Sequence, residues 1–323
     1  MHLRKFNVLL RAAALAGITL CAGAFAQYPA KPIRVIVPFP AGSATDAVAR
    51  ILGQSVGVAI GQSVLVDNKA GADGAIAAAE VANAAPDGYT LFLATNSPMS
   101  VVPAMRKIPP YDPVADFAPI TDVGRYTFFL YANAALPAKN LQELIAHAKA
   151  NPGKLNYATG NTTGIVSFAQ MNSLAGIDIA HIPYKGEPAG ITDLVSNRVQ
   201  VMFATLTTGG AHVKDGKLRA LATSLTRRSP MFPEVPTMAE SGMPQFAIVS
   251  WAGLFAPAKT PKDIVERLNR EFVAAMKRPD VMAAMDKQAF FLSPSTPEQL
   301  GQYVKDQKES YARILRAAGV QPE

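Results

Sequence analysis

Short aliphatic runs alternate along this chain with stretches of helical periodicity, and the joints between them are mostly small and polar. The first unit is Ile33-Arg34-Val35-Ile36-Val37, a β-branched strand. It runs through Pro38-Phe39-Pro40-Ala41-Gly42 into Ser43-Ala44-Thr45-Asp46, which opens a helix. Ser43 and Asp46 have capping-box spacing, which predicts a helix beginning at Ser43 or Ala44. Residues 64–67 read as a second strand, followed by a small-residue turn over 68–74 and an alanine-rich helix over 75–85. Residues 89–94 read as a third strand, ending at Thr95-Asn96. Strands alternating with helices in this way predict a parallel, doubly wound α/β sheet. Ligands of such sheets sit beyond the carboxyl ends of the strands, where these polar turns fall.

The pattern lapses around residues 109–113 and resumes with strands over 117–123 and 126–131, which lead into a second domain. A helix over 140–150 has Asn140 as its cap and Glu143 three residues later. The strand over 155–159, the turn Gly160-Asn161-Thr162-Thr163-Gly164 and a helix from about 165 to 175 repeat the opening logic. Strands over 179–183, 199–203 and 218–223 follow. The first leads through Tyr184-Lys185-Gly186-Glu187 to a helix through 193–195, and the second ends at Ala204-Thr205. Residues 246–255 are extended and hold the only tryptophan, Trp251. Thr260-Pro261-Lys262-Asp263 and Thr296-Pro297-Glu298-Gln299 both read as helix starts. Behind the first, Ile264, Leu268, Phe272 and Met276 form an apolar stripe; behind the second stand Leu300, Val304, Tyr311 and Leu315.

The N-terminus departs from this pattern. Arg4, Lys5 and Arg11 precede an apolar run over 12–22, and Ala24-Phe25-Ala26 offers a small-x-small cleavage site. That is the form of a secretory signal peptide over residues 1–26. Leu20 before Cys21 fits lipid attachment poorly, and with cleavage after Ala26 the mature chain has no cysteine, hence no disulfide or thiol chemistry. The whole chain carries +7; the three basic residues of the leader account for the difference from +4 in the mature protein. That excess is spread thinly, with no basic block of the kind nucleic acid requires. An apolar fraction of 49 % excludes a disordered chain.

A strand feeding directly into a helix start leaves backbone N–H groups free at the sheet's carboxyl edge, and the helix dipole reinforces them. Such a turn suits a carboxylate or another oxyanion. Ser43 and Thr45 serve equally as caps or ligand contacts. Asp46 reads first as a cap that shapes the loop, because a bare carboxylate repels an anion. Phe39, between two prolines, reads as a cleft wall, and Trp251 as core. Enzymatic chemistry finds no support: His147, His181 and His212 lack metal-ligand spacing, and no G-x-S-x-G elbow, P-loop or G-x-G-x-x-G fingerprint occurs. No metal or cofactor is expected.

Five motifs, in order, resemble the periplasmic receptors of tripartite tricarboxylate transporters, also called Bug-type receptors. They are Val37-Pro38-Phe39-Pro40-Ala41-Gly42 with Thr45-Asp46, Pro86-Asp87-Gly88-Tyr89-Thr90-Leu91, His181-Ile182-Pro183-Tyr184-Lys185-Gly186, Pro233-Glu234-Val235-Pro236-Thr237 and Ser250-Trp251-Ala252-Gly253-Leu254-Phe255-Ala256-Pro257. The resemblance implies a type II periplasmic-binding-protein fold: two doubly wound α/β lobes joined by a hinge, with the ligand between them. It places one lobe over 27–125 together with 248–323 and the other over 126–247. It implies ligand contacts from Phe39, Ser43, Ala44, Thr45, Asp46, Thr95 and Asn96 in the first lobe, and from Asn161, Thr162, Thr163, Tyr184 and Thr205 in the second. The expected partners are a small organic anion (mono-, di- or tricarboxylate, or an aromatic acid) and the membrane components of the transporter. The expected receptor is a periplasmic monomer. A sensor feeding a signalling receptor and an exported enzyme acting on a carboxylate are the alternatives. Many relatives carry an aspartate at or next to the position of Ala204; its absence here favours a plain carboxylic acid over an amino acid.

Overall fold

The computed structural model describes residues 28–246, 248–317 and 322. The expected leader over residues 1–26, Cys21 included, lies outside the described residues. The strands are β1 (Ile33–Val37), β2 (Val64–Asn68), β3 (Thr90–Thr95), β4 (Phe117–Tyr126), β5 (Phe128–Asn133), β6 (Asn156–Thr159), β7 (Ala180–Pro183), β8 (Val201–Thr205), β9 (Leu218–Thr223), β10 (Ser250–Pro257) and β11 (Phe290–Leu292). The helices are α1 (Ala44–Ile60), α2 (Ala75–Ala82), α3 (Leu141–Ala150), α4 (Thr162–Ala175), α5 (Glu187–Val195), α6 (Leu206–Lys214), α7 (Lys262–Met276), α8 (Pro279–Asp286) and α9 (Pro297–Ala317). A π turn over Ser97–Val101 runs into one further helical turn, Val102–Met105.

Two sheets result, one in each lobe. The first is six-stranded, in the order β11-β4-β10-β3-β1-β2, and the second five-stranded, in the order β7-β6-β8-β5-β9. The strand–helix–strand units run parallel, as the alternation predicts: β1 with β2 and β3, and β6 with β7 and β8. The strands that carry the chain between lobes run antiparallel. β10 lies between β3 and β4, and β5 between β8 and β9, each opposed to both neighbours. Both enter their sheet from the other lobe, so no crossover helix obliges them to be parallel. The passage from β4 to β5 takes one residue, Thr127, whose hydroxyl donates to the Ala289 carbonyl at 2.6 Å. The return occupies the chain between β9 and β10.

Local chemistry explains where the helices start and stop. Ser43 caps α1, its Oγ accepting from Asp46 N at 3.3 Å, and Gly61 ends the helix in the left-handed region at φ 67°. α4 begins three residues before the expected start, because Asn161 is its cap and accepts from Gly164 N at 3.1 Å. α7 begins at Lys262, one residue after the proline expected at its first position. Thr260 does not cap it: the hydroxyl turns back to the Pro257 carbonyl at 2.8 Å. The Thr296–Gln299 box works in both directions, at 3.3 and 3.0 Å. Leu268, Phe272 and Met276 are buried as the stripe predicts, as are Leu300, Val304, Tyr311 and Leu315. Trp251 is fully buried, edge-on to Tyr303 at 5.4 Å between ring centroids.

Candidate functional site

The carboxyl ends of β1 and β6, on opposite sheets, face one another across a narrow, nearly closed cleft of about 20 Å³, close to the room one water needs. Ser43, Ala44 and Thr45 at the start of α1 line one side; Gly160, Asn161 and Thr163 at the start of α4 line the other. Thr95 and Thr205, at the ends of β3 and β8, and Phe39 complete the part foreseen in the sequence. The first N–H groups of α1 and α4 have no acceptor within their own helices, so both starts hold donors in reserve.

The hydroxyls are arranged to the same end. Thr45 Oγ1 accepts from the Tyr126 hydroxyl at 3.0 Å, and Thr163 Oγ1 accepts from Asn96 Nδ2 at 2.8 Å. Ser43 Oγ accepts from the Asp46 amide. Each oxygen is engaged as an acceptor, which leaves its own hydrogen to be donated. Thr95 Oγ1 is buried with no hydrogen-bond partner among the described residues, although it lines the cleft. A buried hydroxyl left unpaired is costly, and a ligand atom would relieve that cost.

The other four expected contacts lie elsewhere. Asp46 is turned into its own loop: Oδ2 accepts from Gly42 N at 3.0 Å, and Arg50 spans both carboxylate oxygens at 2.8 and 3.1 Å. Burial works to raise this carboxyl, but the bonds from Arg50, Gly42 and Asn68 bring it below its usual range. Asn96 and Thr162 join the two lobes. Asn96 reaches Thr163 and the Tyr311 hydroxyl and accepts from Ser250 Oγ at 3.0 Å, while the Thr162 hydroxyl meets Ser97 Oγ at 2.7 Å. Tyr184 is held by Asp193, at 2.7 Å, and lines an adjoining opening with Lys185 and Asp73.

With this geometry in view, the chain matches the model of the tripartite tricarboxylate transporter family receptor over residues 48–320. The chain belongs to that receptor family. It is 36 % identical to protein BugT of Bordetella pertussis, over 90 % of each chain. Among solved structures it resembles the periplasmic binding protein BugD (33 % identity, TM-score 0.87), covering 92 % of this chain and all of that one. It also resembles R. palustris Rpa4515 with adipate, at 28 % identity and TM-score 0.89 over the same shares of the two chains. This is a family of solute-binding receptors, and the two-lobed α/β fold is its fold.

Six further residues of this receptor line the cleft that were not among the expected ligand contacts: Ser97, Tyr126, Phe128, Gly160, Glu187 and Ser250. Gly160 is required by close approach, since a Cβ there would lie 2.1 Å from the Glu187 backbone nitrogen. Glu187 is the only charged residue among those lining the cleft. Its Oε2 accepts from Thr205 N at 3.0 Å, Thr205 Oγ1 at 2.6 Å and Thr208 Oγ1 at 2.8 Å, and its Oε1 from Asn161 Nδ2 at 3.0 Å. Burial pushes this carboxyl up, and the donated bonds only partly offset it. Its place at the first position of α5, closing the short turn that follows β7, was the available signal. Its partners, 18 to 26 residues away, were not visible in the local pattern.

Proposed function

We propose that this chain is a periplasmic receptor that captures a small organic carboxylate between its lobes and delivers it to a tripartite tricarboxylate-type membrane transporter. The observation that carries this is the convergence of two capped helix starts, one per lobe, on a single cleft where their free N–H groups and the hydroxyls beside them can donate. An anion between them would receive hydrogen bonds from fixed N–H groups and hydroxyls, with no cationic side chain among the lining residues. The adipate bound by a family member supports a carboxylate as the class of ligand. Export by the leader over residues 1–26 accords with the periplasmic setting of the relatives.

Capture is a two-state process. Each lobe alone offers a half-site; a ligand that bridges them stabilises the closed form, and only differential affinity for that form shifts the balance. The contacts of Asn96 with Thr163 and of Ser97 with Thr162 join the lobes beside the ligand. They make closure and binding one event, while exclusion of water strengthens the bonds to the anion.

A thermal-shift panel of mono-, di- and tricarboxylates, amino acids and aromatic acids tests the proposal. A cognate acid at a hundredfold excess over its Kd stabilises the fold by about 2.7 kcal/mol. A panel with no shift from any acid refutes it. Delivery is tested separately: deleting the gene abolishes uptake of the labelled cognate acid by intact cells, and unchanged uptake refutes that part.

A further inference from the structure

Two of the residues expected to meet the ligand in the second lobe already have their donors engaged. Asn161 Nδ2, Thr205 N and the Thr205 hydroxyl all donate to Glu187, as does the Thr208 hydroxyl. All four bonds are donated to Glu187, and they favour its ionised form against the burial that raises this carboxyl. Oε2 takes three of the bonds and Oε1 only one, so Oε1 keeps an acceptor position. The second lobe therefore holds a carboxylate of its own within the cleft. The aspartate missing at Ala204 has a counterpart in Glu187, bonded to the backbone of the next residue, Thr205.

We propose that Glu187 fits the second-lobe end of the cleft to a ligand group that donates hydrogen bonds, an ammonium above all. The cargo is then a zwitterion, a small acid carrying an amine, and not a plain dicarboxylate. This deepens the carboxylate-receptor proposal and rests on it. The starts of α1 and α4 hold one carboxylate between them. The remainder of the ligand, confined by Phe39, Tyr126 and Phe128, extends toward Glu187 and Thr205. A second carboxylate there would meet a buried like charge whose own donors are spent, at close range and shielded from water. An ammonium in the same place pairs with that charge and uses the vacant acceptor position of Oε1. With no lysine or arginine among the lining residues, nothing else in the cleft would neutralise a second ligand anion.

Isothermal titration calorimetry with matched pairs tests this: 4-aminobutanoate against succinate, and 5-aminopentanoate against glutarate, on wild type and on Glu187→Gln. The wild type is expected to prefer the amino acid of at least one pair by about tenfold or more, and Glu187→Gln to lose that preference. Equal or tighter binding of the dicarboxylates by wild type overturns the proposal, as does an unchanged preference in Glu187→Gln. The wild-type comparison needs no variant, so a misfolded Glu187→Gln leaves the test standing. Should none of the four bind while a simple monocarboxylate does, the amine subsite is refuted and the carboxylate receptor survives. Should no carboxylate of any class bind, the receptor assignment falls and this proposal with it.

Discussion

Replacing Ala44 by proline removes a single backbone N–H from the cleft while leaving the helix that presents it in place. Ala44 is the first residue of α1, where proline is favoured because its fixed φ suits the helix and its missing N–H has no acceptor within the helix. Ser43 before it already has φ −73° and ψ 161°, the extended conformation that a following proline demands. Stability should therefore hold or rise slightly, by about 0.4–1 kcal/mol through loss of unfolded-state freedom. Binding should suffer, because a hydrogen bond to a charged acceptor contributes about 1.5–3 kcal/mol. That corresponds to roughly 10- to 150-fold in Kd. Ala44 lines the cleft, so the added ring atoms need a control. Ala44→Val adds comparable bulk and keeps the N–H. Calorimetric titration of wild type, Ala44→Pro and Ala44→Val with one ligand from the panel, alongside urea denaturation of each, separates the effects. Unchanged binding by Ala44→Pro, or an equal loss in Ala44→Val, would refute the role assigned to this N–H group.

Asn96→Leu should cost about 1–3 kcal/mol in denaturant unfolding, since it strands the Ser250 donor and removes the bond to Thr163 across the lobes; wild-type stability would show that this junction carries no weight. Gly160→Ala should abolish ligand-induced stabilisation, because its Cβ would meet the backbone of Gly186 and Glu187 at 2.3 and 2.1 Å and neither can give way cheaply. A normal thermal shift in that variant would contradict the tight approach of the two turns. Asp46, with its carboxyl lowered in the folded state, contributes stability that is present above the usual carboxylate range and fades as pH falls through the lowered value. Asp46→Asn should therefore flatten the acid limb of stability against pH, and an unchanged limb would show that Asp46 does not contribute to it.

The sequence revealed what is decided within a few residues and little of what is decided across the fold. The cap at Ser43, the strand before it and the small turn between them are local, so the first half-site was readable in outline. The cap of α4 is harder to read: Asn161 lacks the acid three residues on that marks Asn140 and Glu143, and α4 starts three residues before the position its pattern suggests. Thr260-Pro261 carried the right letters and failed, because a turn back to Pro257 claimed the hydroxyl first. The antiparallel course of β5 and β10 follows from the passage between lobes, which no run of apolar residues records. Asn96, Thr162 and Glu187 take their roles from partners 67, 65 and 18 to 26 residues distant, so their chemistry appears only once the lobes are assembled.

The most direct test of the whole account is a crystal structure of the receptor with the acid that gives the largest thermal shift. The account predicts one ligand carboxylate lying between the two helix starts, with oxygens about 2.7–3.2 Å from N–H groups of both Ala44 or Thr45 and Thr162 or Thr163. A carboxylate bound to one lobe only, or seated outside this cleft, would contradict it.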